Sequence, residues 1–124
     1  MKTVVAIAVA GALGALARYG VGGWISRRNQ SAFPWETFVV NISGAFALGL
    51  IFTVATERWG IAPWLRSALT IGFLGAYTTF STFMFETYRL GEDRAHALAV
   101  LNVVGSCAAG LVAVYLGVVA GRAL

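Results

Sequence analysis

Long apolar runs, separated by short charged segments, dominate the chain. Uncharged stretches cover Thr3 to Ala17, continuing past Arg18 to Ser26, and then Thr37 to Thr56, Ser67 to Phe85 and Ala95 to Gly121. A membrane-spanning helix needs about 20 mainly apolar residues. The pattern therefore predicts four transmembrane helices, joined by short connections near Arg27 to Trp35, Glu57 to Leu65 and Tyr88 to Arg94.

Composition supports a membrane protein, because 59% of the 124 residues are hydrophobic and only 11% are charged. We expect an all-α integral membrane protein with one four-helix transmembrane domain over residues 1–124, surrounded by lipid as a multi-pass protein of the cell inner membrane. A signal peptide is the alternative for the first stretch, since Lys2 precedes an apolar run that ends in Ala15-Leu16-Ala17. A span is favoured because the apolar pattern resumes after Arg18.

Positive charges are balanced between the two ends of the predicted spans. One side carries Lys2, Arg58, Arg66 and Arg122, and the other carries Arg27, Arg28, Arg89 and Arg94, with Arg18 as a fifth if it is counted. The positive-inside rule then gives almost no preference for either orientation. Insertion in both orientations favours an antiparallel homodimer, although weak charge bias in a small protein is an equally good explanation.

The spans contain small residues at spacing four and a few polar residues. The small pairs, which allow close helix packing, are Gly11 and Ala15, Ala45 and Gly49, Gly72 and Ala76, Ser106 and Gly110, and Gly117 and Gly121. Asn41 lies one turn into the second span, while Asn102 and Ser106 share a face of the fourth. Polar groups are costly in hydrocarbon unless they meet a partner, water or a substrate. The amide donors of Asn41 and Asn102 are suited to replacing water around an anion.

The segment "GFLGAYTTFSTFMFE", residues 72–86, predicts a break in the third helix. Gly72 and Gly75 weaken the helix, and the threonines that follow offer alternatives to backbone hydrogen bonds, so a non-helical turn is expected near Gly75 to Thr79. Carbonyls freed in such a turn suit a small hard cation. Phe80 and Phe83 are three residues apart and share a face, where ordinary packing competes with an anion path along the electropositive ring edges.

These residues resemble a known family. "GALGALARYG", "PWETFVVNISGAFALGL" and "GFLGAYTTFSTFMFE" closely resemble the signature stretches of the Fluc, or CrcB, fluoride channels, and "NVVGSCAAGLVAVYLG" resembles their fourth helix more loosely. The resemblance covers nearly the whole chain. It implies a dual-topology antiparallel homodimer of four-helix subunits with a broken third helix, two fluoride pores, and a structural sodium ion between the subunits.

The resemblance also implies roles for single residues. Gly75 and Thr78 match the positions whose carbonyls hold sodium, Phe80 and Phe83 match the pore aromatics, and Asn41 matches the pore asparagine. Thr37, Ser106 and Glu86 match polar positions further along the fluoride pathway, and Arg18 matches a vestibule arginine. The chain departs from the family pattern at Glu36, at Ala76-Tyr77 and at Asn102, which stands on the polar track where a tyrosine is common.

The resemblance implies passive export of fluoride from the cytoplasm. We expect no enzyme, because no Ser/His/Asp set, paired carboxylates or phosphate loop is present, and no nucleic-acid partner. The alternative is a proton-coupled exporter of the small multidrug resistance type, which needs a mid-membrane carboxylate that the first span lacks. A non-transporting accessory membrane protein is the third possibility. Cys107 and His96 are isolated and predict neither a disulfide nor a metal site.

Overall fold

The computed structural model describes residues 1–124, which form helices and connecting turns only. Four helical spans are long and apolar enough to cross a membrane, which confirms the four predicted helices: Lys2–Ser26, Trp35–Arg58, Pro63–Glu92 and His96–Ala123. Their α-helical elements are α1 (Lys2–Ser26), α2 (Trp35–Thr53), α3 (Pro63–Ser67), α4 (Gly75–Tyr77), α5 (Phe80–Glu92) and α6 (His96–Ala123). Two π-helical segments, Val54–Arg58 and Ala68–Leu74, continue α2 and join α3 to α4.

Small residues bring α2 and α6 into direct backbone contact. A Cβ atom on Gly49 would collide with the Val114 carbonyl, and one on Gly117 would collide with the carbonyl of Phe46. In a bilayer, helix association depends on such close packing because lipid chains are as apolar as the side chains. The predicted small-residue faces of these two helices are therefore confirmed at Gly49 and Gly117.

The first span packs on the π-helical part of the third span in the same way. A Cβ on Gly72 would lie 2.7 Å from the carbonyl oxygen of Ile7, and one on Gly14 would collide with the backbone of Phe73. Overpacking of this kind costs about 1–3 kcal/mol. Glycine at these positions therefore fixes how closely the first and third spans approach each other.

The third span is interrupted, as the sequence predicts, but over a shorter stretch. Gly75 to Tyr77 are helical, and the break consists of Thr78 (φ −83°, ψ 161°) and Thr79 (φ −149°, ψ 123°), both extended. The connection expected at Tyr88 to Arg94 is also shorter, since α5 runs on to Glu92. Along this last part of α5 the Tyr88 hydroxyl donates to Glu92 Oε1 (2.9 Å), a side-chain contact between successive turns.

Large apolar side chains cover much of the outer surface. Leu16, Leu111 and Tyr115 are each about two-thirds exposed or more, at 66%, 75% and 66%. In water such a surface would be an aggregation or binding patch. On four membrane-length helices it is the surface that faces lipid or another subunit, and the chain is a multi-pass membrane protein.

Candidate functional site

A pair of hydrogen bonds joins Asn41 of α2 to the broken third span. Asn41 Nδ2 donates to the Thr79 carbonyl (2.9 Å), and the Thr79 N–H donates to Asn41 Oδ1 (2.8 Å). The carboxamide thus pairs with both backbone groups of one residue, as a neighbouring β-strand would. One N–H of Nδ2 is used in this way, and the second remains for another acceptor.

The pairing with Asn41 and the cap at Thr79 each take the helical donor of one carbonyl. In an unbroken helix the Gly75 carbonyl would accept from the Thr79 N–H, which here goes to Asn41. The Thr78 carbonyl would accept from the Thr82 N–H, which instead donates to Thr79 Oγ1 (3.3 Å). Thr79 is the N-cap of α5 and restarts the helix. The break therefore combines two carbonyls that lack their helical partners with a new helix N-terminus.

A cleft of about 400 Å³ opens on the face of the chain that carries the break. Six of the sequence-predicted site residues line it: Asn41, Gly75, Thr78, Phe80, Phe83 and Ser106. The Phe80 and Phe83 rings meet edge-on, with centroids 6.1 Å apart and planes at 64°. Phe83 is 7% exposed in the chain, whereas Phe80 is 73% exposed. The shared face expected for these two rings is confirmed.

A second cavity, the vestibule, adjoins the cleft. It measures about 360 Å³, and its wall includes Arg18, Glu36, Thr37, Thr79 and Thr82. Thr79 lines both spaces, so the vestibule and the cleft meet at the break. Arg18 forms no ion pair; the one salt bridge of the chain joins Arg122 to Glu57. Its charge and that of Glu36 therefore act on the vestibule with opposite signs.

Thr37 and Glu86 form a separate polar contact between α2 and α5. Thr37 is 5% exposed, and its hydroxyl donates to Glu86 Oε1 (2.8 Å). The second carboxylate oxygen, Oε2, is buried without a hydrogen-bond partner. Glu86 lines a third, smaller cavity of about 150 Å³. Glu36 lines both this cavity and the vestibule. Thr37 therefore lies in the vestibule wall and Glu86 in the neighbouring small cavity, and neither lines the cleft.

Asn102 is the sequence-predicted site residue that lines none of these three cavities. Its side chain is 1% exposed and is held between neighbours on two helices. Asn102 Nδ2 donates to Thr87 Oγ1 (2.9 Å), and the Ser106 hydroxyl donates to Asn102 Oδ1 (3.4 Å). Asn102 and Ser106 therefore share one face of α6, as expected, but only Ser106 reaches the cleft.

Two residues at the site carry more than their sequence pattern suggests. Thr79 caps α5 and lines both the vestibule and the cleft, and the only local signal for this is that threonine is a preferred N-cap residue. Thr87 anchors Asn102, but a threonine inside an apolar helix ordinarily bonds to its own backbone and gives no sign of a distant partner.

Comparison with known proteins places the chain in a family. The family model described as "CrcB-like protein, Camphor Resistance (CrcB)" matches residues 5–118. A relative from Geotalea uraniireducens is 49% identical, and one from Geobacter sulfurreducens is 48% identical, each over the full length of both chains. A relative from Acidobacterium capsulatum is 47% identical over 94% of this chain and 93% of its own. All three carry the name fluoride-specific ion channel FluC.

The family match covers most of the chain, and these relatives align over nearly all of it, including the broken third span. The chain therefore belongs to the CrcB family.

Proposed function

We propose that this chain is the subunit of a fluoride-selective channel through which fluoride leaves the cytoplasm passively. The observation that carries the proposal is the cleft at the broken third span, in a chain whose relatives are named fluoride-specific ion channels. The fluoride pathway is lined by Arg18, Thr37, Asn41, Phe80, Phe83, Glu86 and Ser106, and Asn102, expected on the path from sequence, is buried beside Ser106. The family's relatives are named as ion channels, so we assign no enzymatic activity.

The path begins in the vestibule. The Arg18 side chain is partly exposed and unpaired, so its charge raises the local anion concentration, while Glu36 on the same wall lowers it. Thr37 and Glu86 extend this polar end. From the vestibule an anion passes Thr79 and meets the free N–H of Asn41 at the entrance of the cleft.

In the cleft an anion loses its water and needs replacement donors. The Ser106 hydroxyl is one, and the ring edges of Phe80 and Phe83 offer partial positive charge. Compact donors in a narrow space select by size and field strength, which favours fluoride over the larger chloride. The exposed Phe80 is free to meet an anion or a second subunit.

Substitution of either aromatic tests the pathway. Phe80→Ile and Phe83→Ile keep much of the side-chain volume but remove the ring quadrupole, so we expect at least about tenfold lower fluoride efflux from liposomes, normalised to assembled protein. Phe85→Ile is the matched control, because Phe85 lies on α5, is 60% exposed and does not line the cleft. Wild-type flux in both variants would remove the rings from the pathway. Absence of fluoride flux in the unmodified chain would refute the channel itself.

We also propose a structural sodium ion at the interface of two subunits, held by the carbonyls of Gly75 and Thr78 from each. The fit rests on these two carbonyls having lost their helical donors and on both residues lining the open cleft. Carbonyl oxygens are the hard ligands that such a cation prefers. When bound, the ion supplies fixed positive charge between the subunits. The residues of the chain keep the carbonyls in place through the Asn41 and Thr79 hydrogen bonds.

Two substitutions separate the sodium site from general packing. Thr78→Ala removes a hydroxyl that donates to the Leu74 carbonyl (3.0 Å) but keeps the backbone carbonyl that is the proposed ligand, so we expect a small effect on sodium dependence. The Cβ of Gly75→Leu has room within one subunit, since its nearest neighbour is Thr70 O at 3.8 Å, and the longer side chain is expected to fill the proposed interface. We expect it to abolish dimer formation and flux. The two variants are compared by size-exclusion profiles and by fluoride efflux, each measured once in sodium buffer and once with N-methylglucamine as the only cation. Efflux that is equal in both buffers for the unmodified chain contradicts the site.

We further propose that two subunits pair antiparallel and form two pores per dimer. The balanced positive charges of the two ends support this arrangement, because they allow insertion in both orientations. The open cleft supports it too, since Gly75 and Phe80, which line it, are exposed in the single chain. With a two-fold axis in the membrane plane, each subunit would cover the cleft of its partner with the same face.

The location of the C-terminus tests dual topology. A C-terminal cysteine tag, in a Cys107→Ser background, should react with a membrane-impermeant reagent on about half of the molecules in intact cells, because the charge bias is close to zero. Added lysines at one end should bias insertion and reduce flux, and co-expression of the oppositely biased variant should restore it. Labelling on one side only for the unbiased chain contradicts dual topology.

The small multidrug resistance type exporter finds no support. The three relatives reported above are all named as channels, and α1 contains no carboxylate.

A further inference from the structure

A partly buried chain of hydrogen bonds connects α5 to α6. Asn102 Nδ2 of α6 donates to Thr87 Oγ1 (2.9 Å), and Thr87 Oγ1 donates to the Phe83 carbonyl one turn earlier on α5 (2.8 Å). At the other side of the same carboxamide, Oδ1 accepts from the Ser106 hydroxyl (3.4 Å). One side chain therefore links the Phe83 turn to Ser106, and both of these residues line the cleft.

The linkage matters because α5 is not joined to α4 by continuous helical hydrogen bonding. The break at Thr78 and Thr79 separates the two helices, and α5 packs mainly against α6. A slide or rotation of α5 along α6 would part Asn102 from Thr87 and leave a buried amide without an acceptor. Because unpaired amides are costly away from water, the pair fixes the register of the two helices.

The bond from Ser106 is long and therefore weak. Hydroxyl donors usually lie 2.7–2.8 Å from their acceptors, and this one lies at 3.4 Å. Asn102 Oδ1 thus orients the Ser106 proton without holding it tightly. An anion that enters the cleft can take this proton as a hydrogen bond at small cost, while Asn102 stays buried.

We infer that Asn102 and Thr87 are positioning residues that hold Phe83 and Ser106 in register on one wall of the cleft, without touching the transported anion. The inference rests on the proposed channel function. It gives Asn102 a different role from the direct place on the fluoride path expected from sequence, and it adds Thr87, for which no role was expected.

The test compares Thr87→Val with Thr87→Ser. Valine has a similar shape but leaves Asn102 without its acceptor, whereas serine keeps the hydroxyl. In liposomes, with flux normalised to assembled dimer, we expect Thr87→Val to lower both fluoride efflux and the fluoride-to-chloride flux ratio by about tenfold, because an unpaired Asn102 amide no longer holds α5 in register with α6. Thr87→Ser should restore both. Thr56→Val is the matched control, because Thr56 makes the same bond to its preceding turn (2.8 Å to Phe52 O) but has no partner on another helix.

A double variant protects the test against misfolding. In Thr87→Val with Asn102→Leu no buried amide is left unpaired, so we expect assembly at least as good as in Thr87→Val, with the flux ratio still low because Ser106 has lost its acceptor. A wild-type ratio in the double variant, or in assembled Thr87→Val, overturns the inference. So does a fall in flux that follows the amount of dimer while the ratio stays unchanged. Failure of the unmodified chain to pass fluoride is a separate result, which refutes the proposed function and this inference with it.

Discussion

Two hydrogen bonds between Asn41 and Thr79 are the interaction on which the site depends. A helix cannot be broken at membrane depth unless the freed backbone groups find partners inside the protein. Each buried group left unpaired costs about 1–3 kcal/mol, so an unsupported break would favour a continuous helix. The Asn41 carboxamide presents a donor and an acceptor at the spacing of a peptide group and satisfies both groups of Thr79. The interruption is thereby stabilised by one side chain from a neighbouring span.

The remaining features of the site follow from that break. Because Thr79 is extended and caps α5, the new helix starts at Phe80 and places Phe80 and Phe83 along the cleft. Its N-terminus contributes partial positive charge where the proposed anion path passes. The same rearrangement leaves the carbonyls of Gly75 and Thr78 without their helical donors. An anion path and a candidate cation site therefore arise from one local departure from helical geometry.

Sequence predicted those features that have a local or compositional cause. Four spans follow from length and apolarity, and the break follows from glycines and threonines close together, although its position at Thr78 and Thr79 depends on a residue 38 positions away. Long-range pairing left no such signal for Thr87, because a threonine has an ordinary structural explanation within its own helix. Asn102 stood out as a polar residue in the fourth span, but its partner on α5 did not. Nor does spacing reveal that Phe83 is buried while Phe80 is exposed, since that difference depends on how α5 packs against α6.

The dependence of transport on the Asn41–Thr79 pair is tested most directly in Asn41→Leu, which has nearly the same shape and neither polar group. Hydrogen exchange at the Thr79 and Thr82 amides should be measured on the same reconstituted sample as fluoride efflux. If the carboxamide supports the break, fluoride efflux per assembled dimer falls and the exchange rate of the Thr79 amide changes, because that N–H either loses its acceptor or turns to the Gly75 carbonyl as the helix closes. Unchanged protection of Thr79 with wild-type efflux would contradict the claim that this pair maintains the site.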